Sequence, residues 1–310
     1  MPAVSSSRKR KKIEKESLTL LFIALPFVIF IIMFSYVPLM GWVLAFFNYK
    51  PGMPFNSMPF VGLRYFSWIF TNEFPEIKRV MVNTLALSGL GLLFSPLPML
   101  FSLLLNEVFS TKYKRVVQTV TTLPNFVSWV IIFSLAFGMF STEGIVNSTL
   151  MNLGLIGKRL MVLDNVNIVW GFQTAMGIWK GLGWGAIVYI AAITGIDTEL
   201  YEAATVDGAG RLARAIYITV PGLLPTYFVL LLLSIGGLLS AAGLDQYLVF
   251  YNGLVAPKIE TLDYYVYRVG ILANSYSFTI AVGILKSLIS ITLLFLANLL
   301  SKRVRGASIF

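Results

Sequence analysis

The side chains that could do chemistry in this sequence are the few charged ones that interrupt long apolar stretches. Residues 199–225, ELYEAATVDGAGRLARAIYITVPGLLP, place acids and arginines between two very apolar segments. Lys180 and Lys286 each stand alone within an apolar stretch. A lone charge in such a setting usually faces a water-filled cavity or a partner of opposite charge. The sequence therefore predicts two places of interest, a polar loop and a polar path between apolar helices.

Enzyme chemistry is not expected of this chain. It has no His and no Cys, which removes the commonest general base and excludes disulfides and thiolate metal sites. A membrane enzyme would need clustered acids or His near a membrane face, and these are missing. The nucleotide-binding pattern G-x-x-x-x-G-K-[ST] is absent, and the glycine-rich runs at 181–185 and 208–210 do not suit a phosphate cradle. We expect no metal and no cofactor on this chain.

Composition indicates an integral membrane protein. The 310 residues are 57% hydrophobic and 12% charged, against roughly 25% charged in soluble domains. The mean hydropathy is +0.80. The net charge of +10 favours basic loops at a cytoplasmic membrane face over nucleic-acid binding.

Six apolar stretches can each hold the ~20 residues that cross a bilayer as a helix. The alternating segments of a membrane β-barrel are absent. We therefore predict an all-α membrane protein, with a basic cytoplasmic N-terminal segment at 1–17 and a single six-helix domain at 18–310. The basic run at 5–15 resembles the start of a signal peptide, but the apolar stretch after it is too long, so an uncleaved first span is expected. The predicted spans are 18–40, 81–105, 119–140, 168–194, 225–244 and 278–300.

The distribution of Lys and Arg residues predicts the orientation of the chain in the membrane. Fourteen of them fall on the side that holds both termini, and eight fall on the other side. Both termini, and the loop at about 197–224, are therefore expected in the cytoplasm. The longer connections, 41–78, 141–167 and 245–277, are expected outside. Their aromatic residues suit a membrane interface, and docking of an external partner is the alternative; they include Trp68, Tyr251 and the YYVYR run at 264–268.

The polar loop reads as two short helices with a corner between them. Glu199 and Glu202 suit the first turn of a helix, where the helix dipole favours acids. Asp207 can cap the second helix, and Gly208 allows a tight corner. Pro221 should end the second helix and begin span five. A plain cytoplasmic loop with ordinary caps is the simpler alternative.

The spacing within this loop resembles the EAA loop of bacterial ABC importer permeases. Further segments agree in order along nearly the whole chain, among them YVPLMGWVLAFFNYKP, LPNFVSWV, IWKGLGWGAIVYIAAITGIDTELYEAA and TLDYYVYRVG. Together they are similar to the polysaccharide-type (LplB-like) branch of carbohydrate ABC permeases. Two departures are Leu212, where Trp is frequent, and Ala215, where a larger residue is usual. The matching loop residues are Glu202, Ala203, Ala204, Asp207, Gly208, Ala209, Ile218, Pro221 and Pro225.

The resemblance implies a type I ABC importer permease in a bacterial cell membrane. It implies that this chain forms half of a heterodimeric pore with a second, different permease. It also implies a dimeric cytoplasmic ATPase that binds ATP and Mg, an extracellular solute-binding protein and an oligosaccharide cargo. In that family the EAA loop is a coupling helix that sits in a groove of the ATPase. An amino-acid or metal permease would share the loop but not the external aromatic segments, and a secondary transporter would show inverted repeats, which we do not find.

The resemblance also points to a substrate path in span four, because a similar W-x-G segment contributes to the sugar site of maltose-type permeases. Trp179 and Trp184 offer aromatic faces to sugar rings, and the glycines between and beside them allow close approach. Lys180 could attract a carboxylate, which favours an acidic, uronate-containing oligosaccharide. Helix packing by the glycines, a structural pair between Lys180 and a partner's acid, a neutral oligosaccharide and a non-sugar solute such as an amino acid are the alternatives.

Two further charges are expected on the pore side. Asp245 should end span five at the external side, and Lys286 should lie about two turns into span six from that side. A charge in the bilayer needs a partner or water. The two residues could pair with each other or meet the partner permease. Outward reach of the Lys286 side chain to the interface is the alternative.

Overall fold

The structure is a computed structural model that describes residues 15–240 and 243–305. The regular elements within these residues are helical, apart from one isolated bridge between Phe47 and Phe60, which confirms the all-α prediction. The α-helices are α1 (Lys15–Ile31), α2 (Arg64–Thr71), α3 (Phe74–Leu93), α4 (Leu97–Asn106), α5 (Thr111–Thr122), α6 (Trp129–Phe140), α7 (Ile145–Asn152), α8 (Val169–Thr194), α9 (Thr198–Val206), α10 (Arg211–Arg214), α11 (Val220–Gly236), α12 (Leu244–Phe250), α13 (Ala256–Ile259), α14 (Leu262–Tyr267) and α15 (Tyr276–Arg305).

Within the described residues, six helical segments are long and apolar enough to cross a membrane, as predicted. Several of them join two α-helices, or an α-helix and a tighter or wider helical turn, into one span. The segments, called spans 1 to 6 below, are Leu20–Phe46, Phe74–Asn106, Trp129–Asn152, Val169–Thr194, Arg211–Gly236 and Tyr276–Arg303. The basic N-terminal run at 1–14 lies outside the described residues.

Span 3 begins ten residues later than the predicted 119–140. The chain leaves α5 through a 3₁₀ turn at Leu123–Phe126 and then extends at Val127. Pro124 cannot continue the helix because it lacks an N–H. Ser128 starts α6 as an N-cap, with its hydroxyl accepting from the amide of Ile131 at 3.4 Å. The break divides a polar helix, α5, from the apolar span.

Span 5 begins earlier than the predicted 225–244, and Pro221 does not end a helix. The chain passes from α10 through a π-helical turn, Ala215–Thr219, straight into α11. In that turn the amide of Val220 bonds the carbonyl of Ala215, five residues back. We attribute the tolerance of Pro221 to this wider turn, which changes the position of the carbonyls below the ring. Span 5 ends at Gly236, so Asp245 falls in the first turn of α12 and not at the end of the span.

Span 4 is the centre of the bundle, and α8 packs against α3, α4, α5 and α11. Small residues permit the closest contacts. A Cβ on Gly183 would lie 2.3 Å from the carbonyl oxygen of Thr121, and a Cβ on Gly185 would lie 3.2 Å from Pro98. This placement supports helix packing as a role for these two glycines.

Span 1 lies at the edge of the bundle. Nearly all its side chains from Leu20 to Met40 are exposed, as suits a helix surrounded by lipid. Its last part, Val37–Phe46, packs on span 6. There a buried cluster joins the ends of spans 1, 2 and 6 to the 41–78 and 245–277 connections; its buried members are Ala45, Ile69, Val80, Leu262, Tyr265, Phe278, Ala281 and Val282.

Candidate coupling loop and substrate path

The polar loop folds as a helix, a tight corner and a second helix. The side chain of Asp197 caps α9 by accepting from the amide of Glu199 at 2.9 Å. At the other end the amide of Ala209 bonds the carbonyl of Ala204 at 2.8 Å, and the amide of Gly208 bonds that of Thr205 at 3.1 Å. These two bonds form a Schellman motif, and Gly208 adopts the positive φ of 78° that the motif requires.

The corner differs in detail from the expected one. Asp207 is the C-cap of α9 and does not cap the second helix, because the Schellman motif places it before the turn; Gly210 is the N-cap of α10. Glu199 lies in the first turn of α9, as expected, but Glu202 lies one turn further on and is exposed. The carboxylate of Glu202 is therefore accessible to a partner and does not interact with the N-terminus of the helix.

The loop is fixed to the ends of spans 2 and 5. Arg211 pairs with Glu107 at 3.2 Å and stacks on Phe109, its guanidinium carbon 4.0 Å from the ring centroid. The hydroxyls of Tyr201 and Thr219 lie 2.9 Å apart. These contacts connect the loop to the bundle.

The loop also presents apolar side chains to its surroundings. Val206 is 89% exposed and Tyr217 is 78% exposed, and Leu212 is exposed as well. The other matching loop residues differ in burial. Those exposed are Ala203 and, at the start of α11, Pro221; those half-buried are Ala204, Ala209 and Ile218. Val206 lies on α9, outside the six spans, so its apolar surface suits a protein partner, whereas Leu212 and Tyr217 lie within span 5.

Lys180 binds the break that precedes span 3. Its ammonium donates to the carbonyl oxygens of Pro124, Asn125 and Val127 at 3.0, 2.8 and 2.6 Å. It also lies 5.5 Å from the ring centroid of Trp129. An ammonium has three donors, and three carbonyls occupy them. An anion here would have to displace one of these bonds, so this geometry favours a structural role, and cargo binding by Lys180 stays a prediction.

Trp179 and Trp184 lie on α8 beside Lys180, and each is about half-exposed. The Trp184 ring meets Phe126 edge to face, with centroids 5.7 Å apart, so it too contacts the break. Both indoles keep an accessible face within the membrane region, as a sugar path or a helix interface would need.

The two remaining predicted path residues do not pair with each other. Lys286 donates to Asp263, an acid at the start of α14, and both side chains are largely buried. Asp245 is exposed, and the described part of the chain gives it no ion pair. Lys286 therefore forms an ion pair within its own chain, and its contact with the pore stays a prediction.

A cavity of about 350 Å³ lies between spans 2, 4 and 5 and α12. Polar groups line it in otherwise apolar surroundings: the amide of Gln246 donates to the side-chain oxygen of Gln173 at 2.8 Å, and the buried hydroxyl of Ser88 has no partner among the described residues. Gly177, Gly181 and Ser234 also face it. The sequence analysis missed these residues, although a glutamine within an apolar span was an available signal.

A second missed feature is an ion-pair network at the opposite end of the bundle from the coupling loop. Glu260, whose side chain is 3% exposed, accepts from Arg79 at 2.5 Å and from Arg268 at 2.6 Å. Asn83 binds the carbonyls of Pro257 and Glu260 at 2.9 Å each. These contacts fix the 256–268 connection to span 2. Nothing in the sequence set Glu260 apart from an ordinary loop acid.

Comparison with known proteins gives consistent matches. Residues 95–306 match the model of the family described as "Binding-protein-dependent transport system inner membrane component". The chain is 38% identical over 293 residues to Protein LplB of Bacillus subtilis (strain 168), covering 94% of this chain and 91% of that one. It is 37% identical to the polygalacturonan/rhamnogalacturonan transport system permease protein YteP of the same organism, with 98% and 94% covered.

A solved structure agrees with the fold. It is a bacterial alginate ABC transporter in complex with an alginate pentasaccharide-bound periplasmic protein, and one of its chains superposes with a TM-score of 0.83 at 33% identity. The match covers 98% of this chain and 100% of that chain.

Proposed function

The chain belongs to the family of binding-protein-dependent transport system inner membrane components, and from that premise we propose that it is the permease subunit of an ATP-driven importer of acidic oligosaccharides. The observation that carries the proposal is its full-length similarity to a polygalacturonan/rhamnogalacturonan permease and to a chain of an alginate transporter. Polygalacturonan and alginate are both polymers of uronic acids. The family is one of transport components, so the chain is a transporter subunit and not an enzyme.

The proposed assembly contains more than this chain. A second, different permease completes the pore, a dimeric cytoplasmic ATPase binds ATP and Mg, and an extracellular solute-binding protein delivers the sugar. The periplasmic protein in the alginate transporter structure supports the last of these. The exposed side chain of Val206, on α9 and outside the six spans, supports a cytoplasmic partner at that end.

Coupling is proposed to run through residues 202–209 into span 5. Glu202 and Ala203 are exposed on α9, where the acid can meet a basic groove of the ATPase. Arg211 and Tyr201 hold α9 and α10 against the ends of spans 2 and 5. A movement of the ATPase would then displace the loop and these spans as a rigid body.

The cargo is proposed to pass the polar cavity beside span 4. Gln173, Gln246 and Ser88 offer hydrogen-bonding groups in a space of about 350 Å³, which lies within the usual size range of small-ligand sites. Trp179 and Trp184 contribute aromatic faces on the same helix. Asp245 and Lys286 remain candidates for charged contacts further out.

Growth of a deletion strain tests the function. We expect a strain without this gene to lose growth on oligogalacturonates and to regain it with the wild-type gene. A paired culture on the neutral oligosaccharides of the same chain length should show no such loss. Loss of growth on neutral sugars alone would contradict the acidic cargo, and unchanged growth on every oligosaccharide would contradict sugar import.

A further inference from the structure

A second cavity lies away from the proposed path, at the end of the bundle opposite the coupling loop. It measures about 720 Å³ and lies between α2, the start of α3 and the 265–278 segment. Span 2 shows which end of the bundle this is: Glu76 lies in the first turn of that span and lines the cavity, and the span ends beside Glu107, which contacts Arg211 of the coupling loop. The cavity therefore opens on the side that the basic-residue distribution predicts to be external.

Most charges around this cavity are already paired. Glu76 pairs with Arg79 at 2.6 Å and with Arg268 at 3.4 Å, and Arg268 also binds Glu260. Glu73 accepts from the Tyr265 hydroxyl at 3.1 Å. Burial raises the pKa of that hydroxyl, and the neighbouring Glu73 carboxylate raises it further, so the hydroxyl remains a donor. Glu76 and Arg268 are therefore neutralised by ion pairs, whereas the described residues give Glu73 this hydrogen bond and no ion pair.

Arg64 differs from Arg268, the other arginine that lines this cavity. It lines the cavity, is exposed, and forms no ion pair with any residue in the described ranges. Trp68 lies one helical turn further along α2, on the same face, and is 41% exposed. A free guanidinium binds a carboxylate through two parallel hydrogen bonds. An accessible indole suits the apolar face of a sugar ring.

We propose that this cavity is an outer binding site for a carboxylated sugar unit, with Arg64 holding the carboxylate and Trp68 stacking on the ring. The proposal rests on the oligosaccharide function proposed above and names a site that is separate from the path beside span 4. A protein loop is the other conceivable occupant. The concave form and the volume, which lies in the range of small-ligand sites, favour the sugar.

The test uses the complete transporter in lipid nanodiscs without the solute-binding protein. Calorimetry measures the binding of trigalacturonate and of its methyl ester, which keeps the rings and removes the charges. We expect Arg64→Gln to weaken trigalacturonate binding about tenfold, as loss of a charged hydrogen bond implies. It should leave the ester unaffected. Trp68→Leu should weaken both sugars.

Two controls match these variants. Lys158→Gln removes an exposed cation of another connection, and Phe70→Leu removes an exposed aromatic of the same helix that does not line the cavity. Both should bind like the wild type. Equal affinities in Arg64→Gln and the wild type would overturn the proposal, as would absence of saturable binding at millimolar sugar.

A third result would also overturn it: unchanged direct binding with impaired stimulation by the solute-binding protein, which would make the cavity a protein docking site. Failure of this site is distinct from failure of the proposed function. If the variants bind normally while cells still import oligogalacturonates, only the outer site is wrong. If wild-type cells import no oligosaccharide, the proposed function is wrong.

Discussion

The ammonium of Lys180 donates to three carbonyls of the break before span 3, of which that of Pro124 also accepts from the amide of Val127 at 3.2 Å. In a membrane the alternative partners are few, and an unpaired buried carbonyl costs on the order of 1–3 kcal/mol. The contact therefore stabilises both partners. The carbonyls of the break gain a hydrogen-bond donor, and the ammonium of Lys180 gains polar acceptors within the membrane.

Replacing Lys180 tests this role. We expect Lys180→Met to lower the thermal midpoint of the assembled transporter clearly, because the carbonyls of Asn125 and Val127 lose this donor at a cost on the order of 2–3 kcal/mol, whereas that of Pro124 keeps the amide of Val127. Lys180→Gln keeps one donor group and should lose less. Lys158→Met, at an exposed lysine, serves as the control and should leave the thermal midpoint unchanged. Full stability in Lys180→Met with loss of uronate uptake alone would instead assign the ammonium to the cargo.

The environment of Glu260 allows a quantitative prediction of stability. Glu260→Gln should destabilise the transporter by on the order of 1–3 kcal/mol, less than a fully buried pair because both arginines are about a third exposed. The matched control is Glu143→Gln, which breaks an exposed pair with Arg159 and should be nearly neutral. Thermal unfolding followed by light scattering compares the two, and equal effects would argue against a structural network around Glu260.

At the scale of elements, the corner of the coupling loop depends on one backbone conformation. Gly208→Val places a β-branched residue at a φ of 78°, which costs on the order of 1–2 kcal/mol and should disturb the Schellman corner. We expect sugar uptake to fall at least tenfold while the solute-binding protein still binds its ligand. Uptake into cells and ligand binding by the isolated solute-binding protein are the two measurements.

Gly210 provides the matched control for that variant. Its φ of −66° is open to any residue and a Cβ there meets nothing within 4 Å, so Gly210→Val should transport normally. Normal uptake by a well-expressed Gly208→Val transporter would show that coupling does not depend on the conformation of this corner.

The contact between span 4 and the end of α5 gives a second prediction at this scale. A Cβ at Gly183 would lie 2.3 Å from a backbone oxygen, so Gly183→Ala must push the helices apart, at on the order of 1–3 kcal/mol. Gly181→Ala meets nothing within 4 Å and should be tolerated. The yield of assembled transporter after detergent extraction measures the difference, and equal yields would mean that the helices separate at little cost.

At the scale of the whole molecule, the distribution of basic residues predicts which side of the membrane each connection occupies. The chain has no Cys, so single cysteines can be labelled without background. Ser5→Cys should resist an impermeant maleimide in intact cells and react after lysis. Ser57→Cys, at an exposed position in the 41–78 connection, should react in intact cells. Labelling of Ser5→Cys from outside would reverse the proposed topology.

The sequence by itself determined the number of spans, the all-α class and the location of the polar loop. Long apolar runs and the EAA spacing are local signals, and a bilayer leaves an apolar chain few alternatives to a helix. The ends of spans 3 and 5 were misplaced for a physical reason. Hydropathy does not register the 3₁₀ turn at Pro124 or the π turn before Pro221, because both depend on backbone hydrogen bonding rather than on polarity.

Only the tertiary structure decided which groups meet. Lys180 stands in an apolar stretch, and the sequence offered cargo or a partner's acid as its contact; the fold supplies the carbonyls of a segment more than fifty residues away. Lys286 meets Asp263 rather than Asp245, and Glu260 meets two arginines from different elements. Charges in an apolar environment bind whatever the packing brings within reach, and packing is set by long-range contacts that spacing along the chain does not encode.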